Sequence, residues 1–134
     1  MTSNFEYHLL KDFPRLFGAT TAERPQPSTG GIGRINCGEG WFLLIQLLCE
    51  QIQETVDASG SMAPTVMYIE EKFGVMRVAC SGANVAVRTL ISAAERASGS
   101  CCEACGALAQ TARTKHGWIK TLCQNCIVAA EKNF

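Results

Sequence analysis

The sequence predicts an α+β fold with a metal-binding module in its C-terminal part. Three observations carry that expectation: apolar residues at steps of three and four from Trp41 to Val56, a β-branched and aromatic run over 65–82, and two Cys-x2-Cys pairs within residues 102–126. Together they imply two core helices packed on an antiparallel β-hairpin in residues 1–100. A treble-clef-like or zinc-ribbon-like module in residues 101–134 would pack on that core.

Taken in order, Phe5, Leu9, Leu10 and Phe13 fall near one face of a short helix, and Pro14 ends or kinks it. The stretch 18–40 mixes Pro, Ser, Thr and Gly without periodicity and reads as a long flexible loop, in which Ile32 and Ile35 are too few to make an interface. Its glycines lack the following Gly-Lys-Ser/Thr of a phosphate loop. From Trp41 to about Ala58, Trp41, Leu44, Ile45, Leu48, Ile52 and Val56 form an apolar stripe opposite Gln46, Glu50, Gln53, Glu54 and Asp57, the pattern of an amphipathic helix.

Residues 58–64 break that helix. A hairpin follows over 65–82, turning at Lys72 to Gly74, with Val66, Tyr68 and Glu70 on one face and Met67, Ile69 and Glu71 on the other. A second core helix over 83–98 is marked by Val87, Leu90, Ile91, Ala94 and Ala97 and closed by Gly99. The residues expected to be buried against the hairpin are Leu44, Ile45, Leu48, Ile52, Leu90, Ile91 and Ala94.

Cys102 and Cys105 form one turn, and Cys123 and Cys126 form another seventeen residues later. This C-x2-C-x17-C-x2-C spacing is that of a structural zinc site, in which two tight turns each offer two sulfurs to one tetrahedral ion. Gly106 permits the positive φ such a turn needs. Four thiolates leave no open coordination position, so the expected cofactor is one structural zinc. A disulfide pair, a redox Cys-x-x-Cys, a Cys101–Cys105 ligand pair and His116 in place of one sulfur remain alternatives. "ALAQTAR" and "GWIKTL" suit two short strands, and "QNCIVAAEKNF" suits a short helix that begins at the second turn and carries the last ligands, the order of a treble clef, with a zinc ribbon as the alternative if the end is not helical. Cys49 and Cys80 read as small buried hydrophobes.

The 12 basic and 12 acidic residues balance, so no global field favours nucleic acid or anionic lipid. Residues 1–67 carry four basic and seven acidic residues, and the remainder eight and five, so any electrostatic partner is local. The first residues lack the pattern of a secretory signal, and no apolar run is long enough to span a bilayer. The expectation is a soluble protein in a reducing cytoplasm, without a membrane partner.

Three stretches, "CGEGW" (37–41), "EEKFGVMRV" (70–78) and "CEACG…TLCQNC" (102–126), occur in an order that resembles a widespread group of small phage and prophage proteins. Those proteins typically show C-G-D-G-W, K-E-K-F-G-x-L-R-F and a C-x-x-C-G / T-L-C pair. Here Glu39 stands for Asp, and Glu70 and Met76 for Lys and Leu. The resemblance implies an accessory phage product acting in the bacterial host cytoplasm, and no particular activity.

Cys37, at the start of the first core helix, invites a nucleophile reading through the helix dipole. It lacks a catalytic partner, since the histidines are His8 and His116. A structural role for "CGEGW", with Trp41 as anchor, is simpler, and no enzyme activity is expected. Arg113, Lys115, His116 and Lys120 around Trp118 form a basic and aromatic surface suited to nucleic acid or another partner. The expected function is binding of a host or phage protein, leading to inhibition or redirection of a host macromolecule such as a component of an antiviral defence system. A nucleic-acid-binding zinc module using residues 113–120 is the alternative, and a homo-oligomer stays open.

Overall fold

The computed structural model describes residues 3–18 and 34–131, which form an α+β fold. Most of the loop expected over 18–40, Ile32 included, lies outside the described residues. Helix α1 (Ser3–Asp12) buries Leu9 and Leu10. After Pro14 the chain turns and buries Leu16 and Phe17, and the Leu16 carbonyl accepts a hydrogen bond from the Val66 amide at 2.6 Å.

The central sheet has three strands in the order β1 (Arg34–Asn36), β2 (Thr65–Lys72) and β3 (Val75–Ser81). The expected two-stranded hairpin is thus corrected by β1, which runs parallel to β2 with Ile35 opposite Ile69, both buried. Helix α2 (Phe42–Ser59) is the crossover that a parallel pair requires. It begins one residue later than its apolar stripe, because Trp41 closes a single 3-10 turn over Glu39–Trp41. Ile45, Leu48, Ile52 and Val56 face the core as expected, as does Cys49, while Leu44 is only half-buried.

Strict alternation along β2 fails at its start. Val66 pairs with Cys80 and Tyr68 with Ala79, leaving Met67 as an extra, bulged residue. The bulge brings both Val66 and Ile69 to the buried side and leaves Met67 exposed.

The strands are joined by Phe73 and Gly74 at φ 53° and 86°, the double positive φ of a type I′ turn. That turn ordinarily takes Asn-Gly, and a left-handed residue with a Cβ costs about 1–2 kcal/mol. Gly74 is needed twice over, since a Cβ there would lie 2.9 Å from Thr111 Cγ2 and 3.2 Å from the Lys120 carbonyl carbon.

Helix α3 (Val85–Ser98) starts at Asn84, whose side-chain oxygen accepts from the Val87 amide at 2.9 Å. It packs beside α2 and along β3. Val87, Ile91 and Ala94 are buried and Leu90 half-buried, but Ser98 rather than Ala97 ends the stripe. Ser98 earns that place by hydrogen bonding: its hydroxyl accepts from the Met76 amide at 2.8 Å and donates to the Glu95 carbonyl. Glu95 Oε2 in turn accepts from the Val78 amide at 3.0 Å. Two donors of the edge strand are thereby met by one helix, which blunts that edge against pairing with other chains.

Ser98→Ala leaves the buried Met76 amide without its acceptor and is expected to lower stability by about 1–3 kcal/mol, read as a reduced urea midpoint at constant slope.

Candidate metal centre

Beyond α3 the backbone tightens, with Ser100 N–H bonded to the Ala97 carbonyl and Cys101 N–H to that of Ser98. The helix therefore delivers Cys102 directly into the first cysteine turn. Within the turn, Cys102 N–H donates to the Ala107 carbonyl at 2.7 Å and Gly106 N–H to the Cys102 carbonyl at 2.8 Å, with Gly106 at the expected positive φ of 85°. Strands β4 (Gln110–Arg113) and β5 (Ile119–Leu122) form an antiparallel hairpin that carries the chain to Cys123. Cys126 lies in helix α4 (Gln124–Glu131), which the Ile127 amide ties back to the Cys123 carbonyl.

Cys102, Cys105, Cys123 and Cys126 converge with all four Sγ atoms within 4.8 Å of one another. The Cys105–Cys123 separation is 3.6 Å. Zinc–sulfur bonds of about 2.3 Å in a tetrahedron set sulfur–sulfur edges of about 3.8 Å, so the donor set fits such an ion in both chemistry and spacing. The cluster is a possible structural metal site. Cys101 and His116 are not part of it; Cys101 Sγ lies 3.5 Å from the Gly40 carbonyl oxygen.

The four thiols are not equivalent. Burial pushes Cys102 up, but backbone N–H groups of Cys123, Cys105 and Ala104 outweigh it and hold this thiol at about 6. For Cys105 the Ala107 N–H favours the thiolate, yet the neighbouring Cys102 and Cys123 sulfurs leave the thiol above its ordinary value. The Cys123 thiol, then burial, push Cys126 up to about 12. One negative charge is thus accommodated readily at Cys102, and further ionisation calls for a cation.

The joint between this cluster and the core is built from "CGEGW". Gly40 N–H donates to the Glu103 carbonyl at 2.7 Å, Gly38 N–H to the Glu103 carboxylate at 2.8 Å, and the buried Trp41 indole N–H to the Cys101 carbonyl at 2.8 Å. A Cβ at Gly40 would lie 2.1 Å from the Cys102 carbonyl oxygen. On the other side, buried Thr121 of β5 donates to the Gly74 carbonyl at 2.5 Å. Glu71 accepts from Gly74 N–H at 2.7 Å and from Lys120 Nζ at 3.1 Å. Glu103 adds a looser ion pair to Lys120 at 3.9 Å.

Glu103, Thr121 and Glu71 were not singled out as joint residues by spacing or composition. The available signal was that "CGEGW", "EEKFGVMRV" and the two cysteine turns stand out together in one chain; in space they converge on this one joint. Cys37 lies buried beside it. Burial, reinforced by Glu103, pushes its thiol up to about 12, the reverse of an activated nucleophile. Of the basic surface, Arg113, Lys115, His116 and Trp118 are exposed on the β4–β5 hairpin, and Arg113 donates to the Gly117 carbonyl at 2.8 Å. Lys120 instead turns toward Glu71 and Glu103.

No family model, curated protein or solved structure matches the chain. Among the described residues no helix is long and apolar enough to cross a membrane.

Two outcomes follow from this geometry. Cys105 and Cys126 both hold their protons at pH 7 and must lose them to bind an ion, so apparent zinc affinity should rise by about a hundredfold or more per unit between about pH 7 and 8, measured by competition with a chromophoric chelator. Gly40→Ala drives a Cβ into the backbone of the first cysteine turn and should lower stability by about 3 kcal/mol, read by thermal melting of the zinc-loaded protein.

Proposed function

We propose that this chain is a zinc-stabilised accessory protein of phage origin that works in the bacterial cytoplasm by binding a host protein and inhibiting or redirecting it, a component of an antiviral defence system being the target class. The observation that carries this reading is the four-cysteine cluster joined to the core. Its order of cysteine turn, hairpin and helix is that of a treble clef, and four thiolates around one ion would close the coordination shell and make it a folding device. What such a domain offers is a rigid surface. The resemblance of residues 37–41, 70–78 and 102–126 to phage and prophage proteins supports the setting, and the rest is analogy with small phage proteins that act stoichiometrically.

Exposed Arg113, Lys115, His116 and Trp118 support a second reading, in which the β4–β5 hairpin contacts nucleic acid.

Affinity purification of the tagged protein from bacterial cells, with metal content determined on the same sample, separates these readings. One zinc per chain and a defined protein partner are expected, with both lost in Cys105→Ser. Nucleic acid that washes off with salt would replace the first reading by the second, and a metal-free chain without a partner would remove both.

A further inference from the structure

Between the β2–β3 turn and the β4–β5 hairpin lies an open cleft of about 550 Å³, lined by Glu71, Phe73, Arg113, Trp118, Ile119 and Lys120. We propose that this cleft docks an extended acidic peptide segment of a protein partner, with Phe73 and Trp118 gripping an apolar side chain of that segment. The proposal rests on the protein-binding reading above and gives it a location.

Phe73 is the first ground. Its neighbours Glu71 and Gly74 are explained by the joint: Gly74 by its φ and the approach of β5, Glu71 by its bonds to Gly74 and Lys120. Phe73 is not. It occupies a left-handed conformation that Asn would adopt more readily, and it leaves 66% of its surface in water. Fold stability therefore selects against Phe at this position. Backbone strain that the fold does not need is characteristic of ligand-gripping positions. Trp118, on the facing hairpin, is also 49% exposed, and the cleft between them is of a size that takes one or two side chains. Two large aromatic residues at one cleft are the kind of anchor that dominates protein interfaces.

Charge is the second ground. Arg113 and Lys120 line the cleft against Glu71, and exposed Lys72 and Lys115 stand close to lining residues along the chain. Lys120 is paired with Glu71 and Glu103, and Glu131 accepts from the Lys115 amide at 3.3 Å. The exposed cations Arg113, Lys72 and Lys115 remain, which complements an acidic segment. The same count disfavours a nucleic acid: a strand needs many cations that track its backbone, whereas here few exposed ones remain, on a chain of zero net charge.

The test is selection of a random dodecapeptide display library on the zinc-loaded full chain, followed by fluorescence anisotropy of the enriched peptides on the wild type, Phe73→Asn and Trp118→Ala. Enriched peptides should be acidic with at least one aromatic or aliphatic side chain. Their affinity should fall about tenfold or more in each variant, while Phe73→Asn, which suits the turn better, melts no lower than the wild type. Absence of enrichment, enrichment of neutral or basic peptides, or equal affinity in Trp118→Ala would overturn the proposal. So would oligo-dT binding that competes with the peptides and depends on Trp118. A cellular partner retained equally by the Phe73→Asn, Trp118→Ala double variant would overturn the cleft and leave the protein-binding reading standing; a wild-type chain that captures no protein would overturn that reading itself.

Discussion

Two backbone carbonyls of the first cysteine turn, those of Cys101 and Glu103, each take a hydrogen bond from the segment that opens α2. This approach is possible only because residue 40 has no side chain. It fixes three things at once. The Trp41 indole is satisfied while its ring fills the core, α2 acquires its starting point, and the cysteine turn is oriented against the end of α3. The metal-binding part is therefore not a bead on a tether. Its first two cysteines are positioned by α3 and α2, and its second pair by β5, which is itself held at Thr121 by the turn of the central sheet.

What was legible in the sequence follows from the range of the interactions involved. Periodicity reports on a single face of one element, so α2 and α3 were readable, and Ile45, Leu48, Ile52, Ile91 and Ala94 lie where the stripe put them. Cys-x2-Cys spacing is equally local, and the four sulfurs were readable for the same reason. Features set by partners distant in the chain were not. Strand β1 has three residues and one buried side chain, Ile35, and exists because β2 offers it a ladder. The bulge at Met67 answers the geometry of the sheet, and Ser98 replaces Ala97 on the buried face because edge amides of β3 need acceptors. Hydrophobicity alone would rank alanine above serine there; hydrogen-bond accounting reverses the order.

"CGEGW" shows the same limit from another side. A cysteine before a helix suggests a polarised thiol, and the isolated segment supports that view. Its surroundings invert the electrostatics, since burial disfavours the thiolate and Glu103 adds to that effect. The contrast with Cys102 is instructive: that sulfur is also buried, but backbone N–H groups point at it. Burial raises both thiols, and only at Cys102 do backbone donors outweigh it.

Because the joint clamps the cluster at both ends, an ion bound by the four cysteines would couple to the stability of the core. An ion that holds Cys105 and Cys126 beside Cys102 and Cys123 also holds β5 against Gly74, since β5 runs directly into Cys123. The free energy of coordination thereby becomes folding free energy for the turn that presents Phe73 and for the hairpin that presents Trp118. The cleft between those two residues has walls from different parts of the chain, and their separation is set by the Thr121–Gly74 contact and the Lys120–Glu71 ion pair. A groove assembled this way needs no ordering on binding, which removes one of the larger costs of association for a small domain. An ion bound at the four cysteines would in that sense act through the rigidity it gives to the surface beside it.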